Sequence, residues 1–408
     1  TRDLVAYLQF TLNVLGDPTT TANEKDIIIN QSYIKLFRDD KVQIEDDLDE
    51  NRDVVTNKDV QAYLKDIDFF FKQVSFEINI EEVTHEVNEK GQVYFKVAAN
   101  RNLTGVTIEN DTVNVNKPRY IEVNLDRESR DLKIVSIYTT RLSEEEELTS
   151  WWNNLTLEWQ ATLRRQHQII EDSLTLEQLR MVTGAEQLDI SDNDLVDDLA
   201  AVSKLTNLRK LNISGTRVVD LVPLRNLTKL EVLDCSNTLV NDLSPLKYCT
   251  NLKEIYCNGS LVSDLLPISN FLRLEKLYAF TTPVSDLRPL SVLANLQDLR
   301  VYDTPINDLT PLANLKKLEI LRFSYTQVAD LLPIAGITSL ERLHLEYTNV
   351  TDLTPLQNLS NLKQLYCDGN QISSLAPLNG LSSLEKVYSD NTLITREEAA
   401  RFMSRNRN

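Results

Sequence analysis

The sequence predicts two domains of different architecture: an α+β domain, followed by a solenoid of stacked repeats that share one parallel β-sheet. Nine leucines, from Leu208 to Leu384, recur at an unbroken spacing of 22 residues, which is typical of a solenoid. Residues 1–140 contain no repeat. We divide the chain into the α+β domain (1–140), a helical connector with an N-terminal cap (141–185), the repeats (186–394) and a C-terminal capping helix (395–408).

The first domain begins with helical patterns and continues with strand patterns. Apolar residues recur at helical spacing in residues 3–15, 24–37 and 60–70. Strands are predicted at residues 74–83, 93–99, 120–125 and 132–139. Helices ahead of antiparallel strands indicate an α+β domain.

Aromatic residues of this domain have two interpretations, a ligand pocket or an ordinary hydrophobic core, and the core is the simpler one. The residues concerned are Tyr33, Phe69, Phe70, Phe71, Phe76 and Tyr94. We find no Asp/His pair for acid–base chemistry, because His85 lies among glutamates and is expected at the surface. A deep pocket with a buried carboxylate would favour small-molecule binding, whereas a filled interior would argue against it.

The connector contains all three tryptophans of the chain. Ser143 and Glu146 form the sequence pattern of a capping box, and Trp152 and Trp159 follow at helical spacing. We therefore expect a helical connector that packs the two domains together.

Each repeat begins with a strand pattern. Leu211 and Ile213 alternate with polar residues, and this period of two predicts a short strand with a buried central residue. The inward residues of successive repeats are expected to form one core column: Leu211, Leu233, Ile255, Leu277, Leu299, Leu321, Leu343 and Leu365.

The repeats end with an Asp-Leu-x-Pro-Leu pattern, as in Asp220 and Pro223, with Ser374 as the exception to the aspartate. We predict that the aspartate is an N-cap and that the proline begins a short 3₁₀ turn on the convex side. Capping explains the aspartate in every unit, so a catalytic or metal-binding column is not needed. Thr175 with Gln178, and Thr395 with Glu398, predict capping helices at the two ends of the solenoid.

The outward strand positions carry the candidate binding site. Aromatic and arginine side chains dominate energetic hot spots of interfaces, and a solvent-facing stripe of them predicts partner binding. Cross-strand stacking that only stabilises the sheet is the alternative. The predicted partner-binding residues are Tyr256, Tyr278, Phe280, Arg300, Tyr302, Arg322, Tyr325, His344, Tyr347, Tyr366 and Tyr388.

Composition argues against several functions. A net charge of −18 disfavours binding to nucleic acid or an anionic membrane. No apolar run reaches the roughly 18 residues that could span a bilayer. The four cysteines are expected as small core residues; Cys235 and Cys257 fall on adjacent strands, where a disulfide is conceivable but not favoured. His344 has no second ligand at metal spacing, and no catalytic or nucleotide-binding motif occurs. We therefore predict no metal, cofactor or catalytic residues.

The repeats resemble the bacterial internalin type of leucine-rich repeat, whose 22-residue units end in the same Asp-Leu/Ile-x-Pro-Leu turn. The resemblance covers about half of the chain and implies a curved right-handed solenoid that binds proteins. Threonine replaces the usual asparagine after the strand, and its hydroxyl is expected to bond neighbouring backbone more weakly. These threonines are Thr216, Thr238, Thr282, Thr304, Thr326, Thr348 and Thr392.

The order of helices and strands in the first domain resembles the nuclear-transport-factor-2-like cone, in which a bent sheet wraps a long helix. The whole chain is similar to exported Bacteroidota proteins that join such a domain to a variable C-terminal module. These resemblances imply export from a bacterial cell to the periplasm, surface or medium, while a cytoplasmic location stays open.

Three functional hypotheses follow. The first is a non-enzymatic recognition protein that binds a protein, or a glycan, on the concave face of the repeats. The second places small-molecule binding or a weak enzymatic activity in the cone, with the repeats as a docking arm. The third makes the chain one module of a larger assembly, in which the repeats form an intramolecular interface.

Overall fold

The computed structural model describes residues 1–48, 56–87, 93–126, 131–140, 142–171 and 173–405. The chain divides into two compact units, Thr1–Asn153 and Asn154–Asn408. The first is a mixed α/β sheet domain, and the second is a leucine-rich-repeat solenoid with a ten-stranded parallel sheet and 3₁₀ turns.

The helices of the first unit are α1 (Arg2–Gly16), α2 (Ala22–Asn30), a 3₁₀ helix (Ser32–Lys35) and α3 (Val60–Phe70). The single helix predicted over residues 24–37 is wrong, because α2 ends at Asn30. Asn30 and Ser32 favour turns over helix interiors. Beyond them, Phe37 forms a parallel bridge to Ile134.

The sheet of the first unit contains two strands that the sequence pattern missed. Its strands are β1 (Gln43–Glu45), β2 (Asn57–Asp59), β3 (Phe71–Val87), β4 (Val93–Thr107), β5 (Thr112–Leu125) and β6 (Leu132–Tyr138), in the order β2-β1-β6-β5-β4-β3. Only β1 and β6 pair in parallel. β1 and β2 have three residues each, too few to show a period of two. β3 to β5 are longer than predicted, since their pairing continues through polar residues.

Helix α1 lies close against β3. The side-chain amide of Asn13 accepts from the backbone N–H of Phe76 at 2.6 Å and donates to its carbonyl at 3.0 Å. A Cβ at Gly16 would lie 2.1 Å from the carbonyl oxygen of Val74, so only glycine fits at this helix end. These contacts fix the helix over one face of the sheet.

The predicted connector is two helices, α4 (Glu144–Asn154) and α5 (Leu157–His167). The hydroxyl of Thr156 accepts from the backbone N–H of Trp159 at 3.3 Å and so begins α5 as an N-cap. The three tryptophans are buried. Helix α6 (Leu176–Thr183) follows, with the predicted capping box between Thr175 and Gln178 present in both directions.

Ten strands of three residues form the parallel sheet of the solenoid, and each pairs with the next in chain order. The strands are β7 (Gln187–Asp189), β8 (Lys210–Asn212), β9 (Val232–Asp234), β10 (Glu254–Tyr256), β11 (Lys276–Tyr278), β12 (Asp298–Arg300), β13 (Ile320–Arg322), β14 (Arg342–His344), β15 (Gln364–Tyr366) and β16 (Lys386–Tyr388). The central residues of β7 to β15 are buried, as predicted, whereas Val387 of β16 is half-buried.

Short 3₁₀ helices return the chain between strands. They are Ala200–Lys204, Val222–Leu224, Ser244–Tyr248, Leu266–Ile268, Arg288–Val292, Thr310–Leu312, Leu332–Ile334, Thr354–Asn358 and Ala376–Leu378. Asp220 lies one position before the N-cap and accepts from the backbone N–H of Val222 at 2.8 Å. The capping role is therefore confirmed, and the position is corrected by one residue. The same bond recurs in every aspartate-bearing unit, and Ser374 supplies it where aspartate is missing.

The threonine column bonds within its own repeat. The hydroxyl of Thr304, for example, donates to the carbonyl of Val301 at 2.6 Å. Asn370 behaves differently: its Nδ2 donates to the carbonyl of Leu345 in the preceding repeat at 2.7 Å, and its Oδ1 accepts from the N–H of Thr348 at 2.8 Å. The side chain of Asn370 thus forms hydrogen bonds to the preceding repeat, whereas the hydroxyl of Thr304 bonds within its own repeat.

At the C-terminal end, α7 (Arg396–Arg405) follows Thr395, whose hydroxyl accepts from the N–H of Glu398 at 3.2 Å. Phe402 of α7 is buried. All four cysteines are free and buried, so Cys235 and Cys257 do not form a disulfide.

Candidate functional site

The parallel register of the strands places one residue from each repeat in a single outward column. Tyr256 pairs with Tyr278, and the column continues through the last strand. Its members from β10 to β16 are Tyr256, Tyr278, Arg300, Arg322, His344, Tyr366 and Tyr388. Phe280, Tyr302, Tyr325 and Tyr347 follow shortly after their strands. We call these eleven residues the aromatic stripe and the surface that carries them the open face of the sheet.

An aspartate anchors the first part of the stripe. Asp298 is buried and accepts from the hydroxyl of Tyr278 at 2.8 Å and from Nη2 of Arg300 at 2.9 Å. The guanidinium carbon of Arg300 lies 3.9 Å from the ring centroid of Tyr278, a cation–π contact. Burial, and then the hydrogen bond to Asp298, raise the pKa of Tyr278 to about 12. The phenol therefore stays neutral at physiological pH.

Stacked rings extend the stripe in both directions. Tyr256 and Tyr278 meet edge to face at 4.8 Å between centroids, and Phe280 stacks on Tyr302 at 4.2 Å. At the other end, the ring of Tyr366 lies 3.9 Å from His344 and 4.5 Å from Tyr388, nearly parallel to both. Stacking of this kind orders the side chains before any partner arrives.

His344 is held by a carboxylate of its own repeat. Its Nδ1 lies 3.3 Å from Oε1 of Glu346, and the other carboxylate oxygen accepts from the hydroxyl of Ser324. Burial opposes ionisation of Glu346, yet these two hydrogen bonds hold its pKa below the usual value. Within the described ranges, no group of three or more potential metal ligands occurs.

Tyr325 and Tyr347 have backbone angles that favour glycine. Every repeat from residue 215 onward has one residue in the left-handed region at this position, with φ of 56° at Tyr325 and 54° at Tyr347. The equivalent residues are Gly215, Asn237, Gly259, Thr281, Asp303, Gly369 and Asn391. A left-handed backbone costs a bulky residue about 1–2 kcal/mol. The rings stack at 4.9 Å, and Tyr325 is 58% exposed, so little burial offsets this cost.

Arg322 lies at the centre of the stripe, between Arg300 and His344 in the register. In the part of the chain that the structure describes, its Nε is buried without a hydrogen-bond partner. Arg300, by contrast, is paired with Asp298. The stripe therefore presents an unneutralised cation among aromatic rings.

Sequence reasoning missed the charged residues at the other end of each strand. Asp298 and Glu254 fix tyrosine hydroxyls of the stripe, and Arg342 adds an exposed cation near Tyr366. Each lies two positions before a stripe residue, on the same face of the strand. That spacing was the signal that could have identified them.

The first unit contains a cavity of about 30 Å³. Four polar side chains line it, those of Asp47, Tyr63, Arg101 and Arg119. The remaining lining is aliphatic: Leu8, Leu12, Ile44, Ile78, Ile121 and Ile137. None of the six aromatic residues considered for a pocket lines this cavity. Those side chains lie elsewhere in the unit, and Phe71 and Phe76 are buried in its core.

Comparisons with known proteins agree with the fold of the second unit. A model of tandem leucine-rich repeats matches residues 206–248, 228–270 and 338–380. No curated protein matches the chain. Among solved structures, an internalin from Listeria monocytogenes is 26% identical, with a TM-score of 0.52, and covers 64% of this chain and 88% of its own.

Two further structures are similar to part of the chain. Internalin C2 from Listeria monocytogenes is 27% identical over 56% of this chain and 91% of its own, with a TM-score of 0.44. The repeat ectodomain of an Arabidopsis thaliana receptor kinase is 18% identical over 56% of this chain and 30% of its own, with a TM-score of 0.50. The chain is thus a leucine-rich repeat protein that is structurally similar to Listeria internalins.

Proposed function

We propose that this protein is a recognition module whose aromatic stripe binds a protein partner, with Arg322 receiving an anionic group of that partner. Leucine-rich repeats are typically protein-binding modules. Arg322 carries the proposal: among the described residues its guanidinium forms no ion pair, and such a charge is stabilised when a carboxylate pairs with it. Arg342, exposed nearby, strengthens the positive potential there.

The ring pairs of the stripe support binding over mere sheet stabilisation. Stacking explains why Tyr366 lies on His344, but it does not explain tyrosine at two left-handed positions that elsewhere hold mostly glycine, asparagine and aspartate. Residues held in unfavourable backbone conformations concentrate at functional sites. The exposed rings of Tyr325 and Tyr347 are therefore assigned to the partner.

The test compares proteins captured from native extract and culture supernatant by the wild-type chain and by a variant with Tyr278→Ala, Tyr302→Ala and Arg322→Ala. We expect a partner that the wild type retains and the variant loses, while the variant still unfolds cooperatively. Equal retention by both proteins would contradict the proposal. Raised salt should weaken capture, because an ion pair at Arg322 is partly screened.

The matched control places three alanines on the 3₁₀ side of the solenoid. Leu266, Arg288 and Leu332 are exposed there and belong to no part of the stripe. The control variant should retain the partner as well as the wild type does. Loss in both triple variants would indicate general damage to the solenoid.

We also propose a fold for the first unit and export of the protein from a bacterial cell. Helices α1 and α3 both contact β3, which has bulges after Phe71 and Ile80, and these features support a nuclear-transport-factor-2-like cone. An experimental structure of the full chain, superposed on that family, tests this assignment.

Export from a bacterial cell is tested by fractionation, with a cytoplasmic enzyme as marker. Within the described residues, no helix has the length and apolar character needed to cross a membrane.

A further inference from the structure

The polar side chains around the cavity of the first unit converge on one buried carboxylate. Oδ2 of Asp47 accepts from Arg101 and from Nε of Arg119, the latter at 3.0 Å. Oδ1 accepts from the hydroxyl of Tyr63 at 2.9 Å. Burial raises the pKa of Tyr63 well above its usual value, so the phenol remains a donor. Asp47 thus orients three donors around one wall of the cavity.

Arg119 and Arg101 differ in how many of their N–H groups form hydrogen bonds. Nη1 of Arg119 donates to the hydroxyl of Thr139 and, at 2.8 Å, to the carbonyl of Pro118. Arg101 is only 4% exposed, and among the described residues its Nε and Nη1 have no hydrogen-bond partner. A buried charged donor without an acceptor is unfavourable. Arg101 therefore presents donors that a ligand can satisfy.

Arg101 shares its acidic partner with Arg119. The carboxylate of Asp47 pairs with both guanidinium groups. Glu45 lies 3.8 Å from Nη1 of Arg119, and its other oxygen accepts from the backbone N–H groups of Thr139 and Thr140. Arg119 thus has a second carboxylate nearby, whereas among the described residues Arg101 pairs only with the carboxylate that it shares.

Three further buried acids of the unit are engaged elsewhere. Glu122 accepts from the hydroxyl of Tyr138 at 2.8 Å and does not line the cavity. Asp46 and Asp66 both pair with Lys58, and Asp46 lies 2.6 Å from its Nζ. Neither lines the cavity. They therefore do not supply the acceptor that Arg101 lacks.

We propose that this cavity binds a small carboxylate, formate or acetate, whose oxygens accept from the guanidinium of Arg101. A cavity needs about 10–15 Å³ to hold one water molecule. The cavity of about 30 Å³ therefore admits a ligand of only a few heavy atoms. Aliphatic side chains, including Leu12 and Ile78, surround its single methyl group or hydrogen. Longer fatty acids do not fit.

The experiment titrates ¹³C-labelled formate and acetate into the full chain at constant ionic strength and follows the ligand signal by NMR. We expect saturable binding by the wild type and at least tenfold weaker binding by Arg101→Met. Asp47 keeps Arg119 and Tyr63 as partners in that variant, which preserves most of the network. The matched control is Arg288→Met, on the exposed side of the repeats, which should bind as the wild type does.

A second variant tests the cavity without changing a charge. Ile78→Phe fills the space and leaves Arg101 and Asp47 intact, so it should lose binding while its melting remains cooperative. Absence of saturable binding by the wild type would overturn the proposal, and so would unchanged affinity in both variants. Equal binding of chloride would overturn the carboxylate specificity. Each of these outcomes leaves the proposal for the aromatic stripe unaffected, since that site lies in the other unit.

Discussion

The ring of Tyr347 occupies the space that Gly369 leaves empty in the next repeat. A Cβ at Gly369 would lie 2.4 Å from Cδ1 of Tyr347, and the glycine backbone is left-handed with φ of 72°. The missing side chain of Gly369 thus leaves space for the ring of Tyr347, which stacks on the ring of Tyr325. Tyr347, which we propose binds the partner, is therefore coupled to the sequence of the following repeat.

We expect Gly369→Ala to destabilise the protein and to weaken partner binding. The left-handed backbone alone costs about 1–2 kcal/mol, and the new methyl group must displace the Tyr347 ring. Urea unfolding measures the stability change. The control is Gly380→Ala, where no atom lies within 4 Å of the new Cβ, and its effect should be below about 1 kcal/mol. Equal costs in the two variants would show that the Tyr347 contact is irrelevant.

Tyr325→Asn should separate stability from binding. Asparagine already occupies the equivalent left-handed position at Asn237 and Asn391. Relief of about 1–2 kcal/mol of backbone strain opposes the loss of a ring pair worth about 0.5–1.5 kcal/mol. The free energy of unfolding should therefore change by less than about 1 kcal/mol, while partner affinity falls about tenfold or more. A large stability loss with unchanged binding would make the tyrosine purely structural.

Asn370→Thr should cost more stability than Thr304→Val. The carbonyl of Leu345 keeps the hydroxyl of Thr348 as a donor. Asn370 is fully buried and bonds to Leu345 and Thr348 of the preceding repeat, and its loss leaves the part-buried N–H of Thr348 without its acceptor. Such a group costs about 1–3 kcal/mol. Thr304→Val removes a single bond to the carbonyl of Val301 and should cost about 1 kcal/mol. Chemical denaturation ranks the two variants, and a reversed order would contradict the inter-repeat role of Asn370.

The cysteines should be unreactive in the native protein. Burial raises the pKa of Cys257 and of Cys367 to about 12. At pH 8 the thiolate that reacts with a disulfide reagent is therefore scarce and inaccessible. Titration with such a reagent should detect no thiol in the native state and four in urea. Fewer than four thiols in urea would reveal a disulfide, with Cys235 and Cys257 as the first pair to examine.

The regular half of the protein could be predicted in detail, because a fixed repeat length determines which residues are neighbours across the sheet. The spacing of 22 residues is enough to predict that Tyr278 lies beside Arg300, and the strand register confirms it. The same spacing carried a signal that was missed: Gly215, Gly259 and Gly369 lie at the positions equivalent to Tyr347, where the backbone is left-handed. In the first unit, Asp47 and Arg119 are 72 residues apart and meet only through tertiary folding, so no local pattern predicts their site.

The stability of the solenoid should fall between about pH 10 and pH 12, and Asp298 should account for part of the slope. The folded-state pKa of Tyr278, about 12, lies above the unfolded value of about 10. The contribution of Tyr278 to the free energy of unfolding is therefore complete below pH 10 and is lost as pH rises through 12. Between these values only the tyrosine of the unfolded state ionises. Asp298→Asn removes the carboxylate that accepts from Tyr278 and should make the loss less steep. Thermal melts across this range measure the slope, and an identical slope in the variant would show that burial alone shifts the phenol.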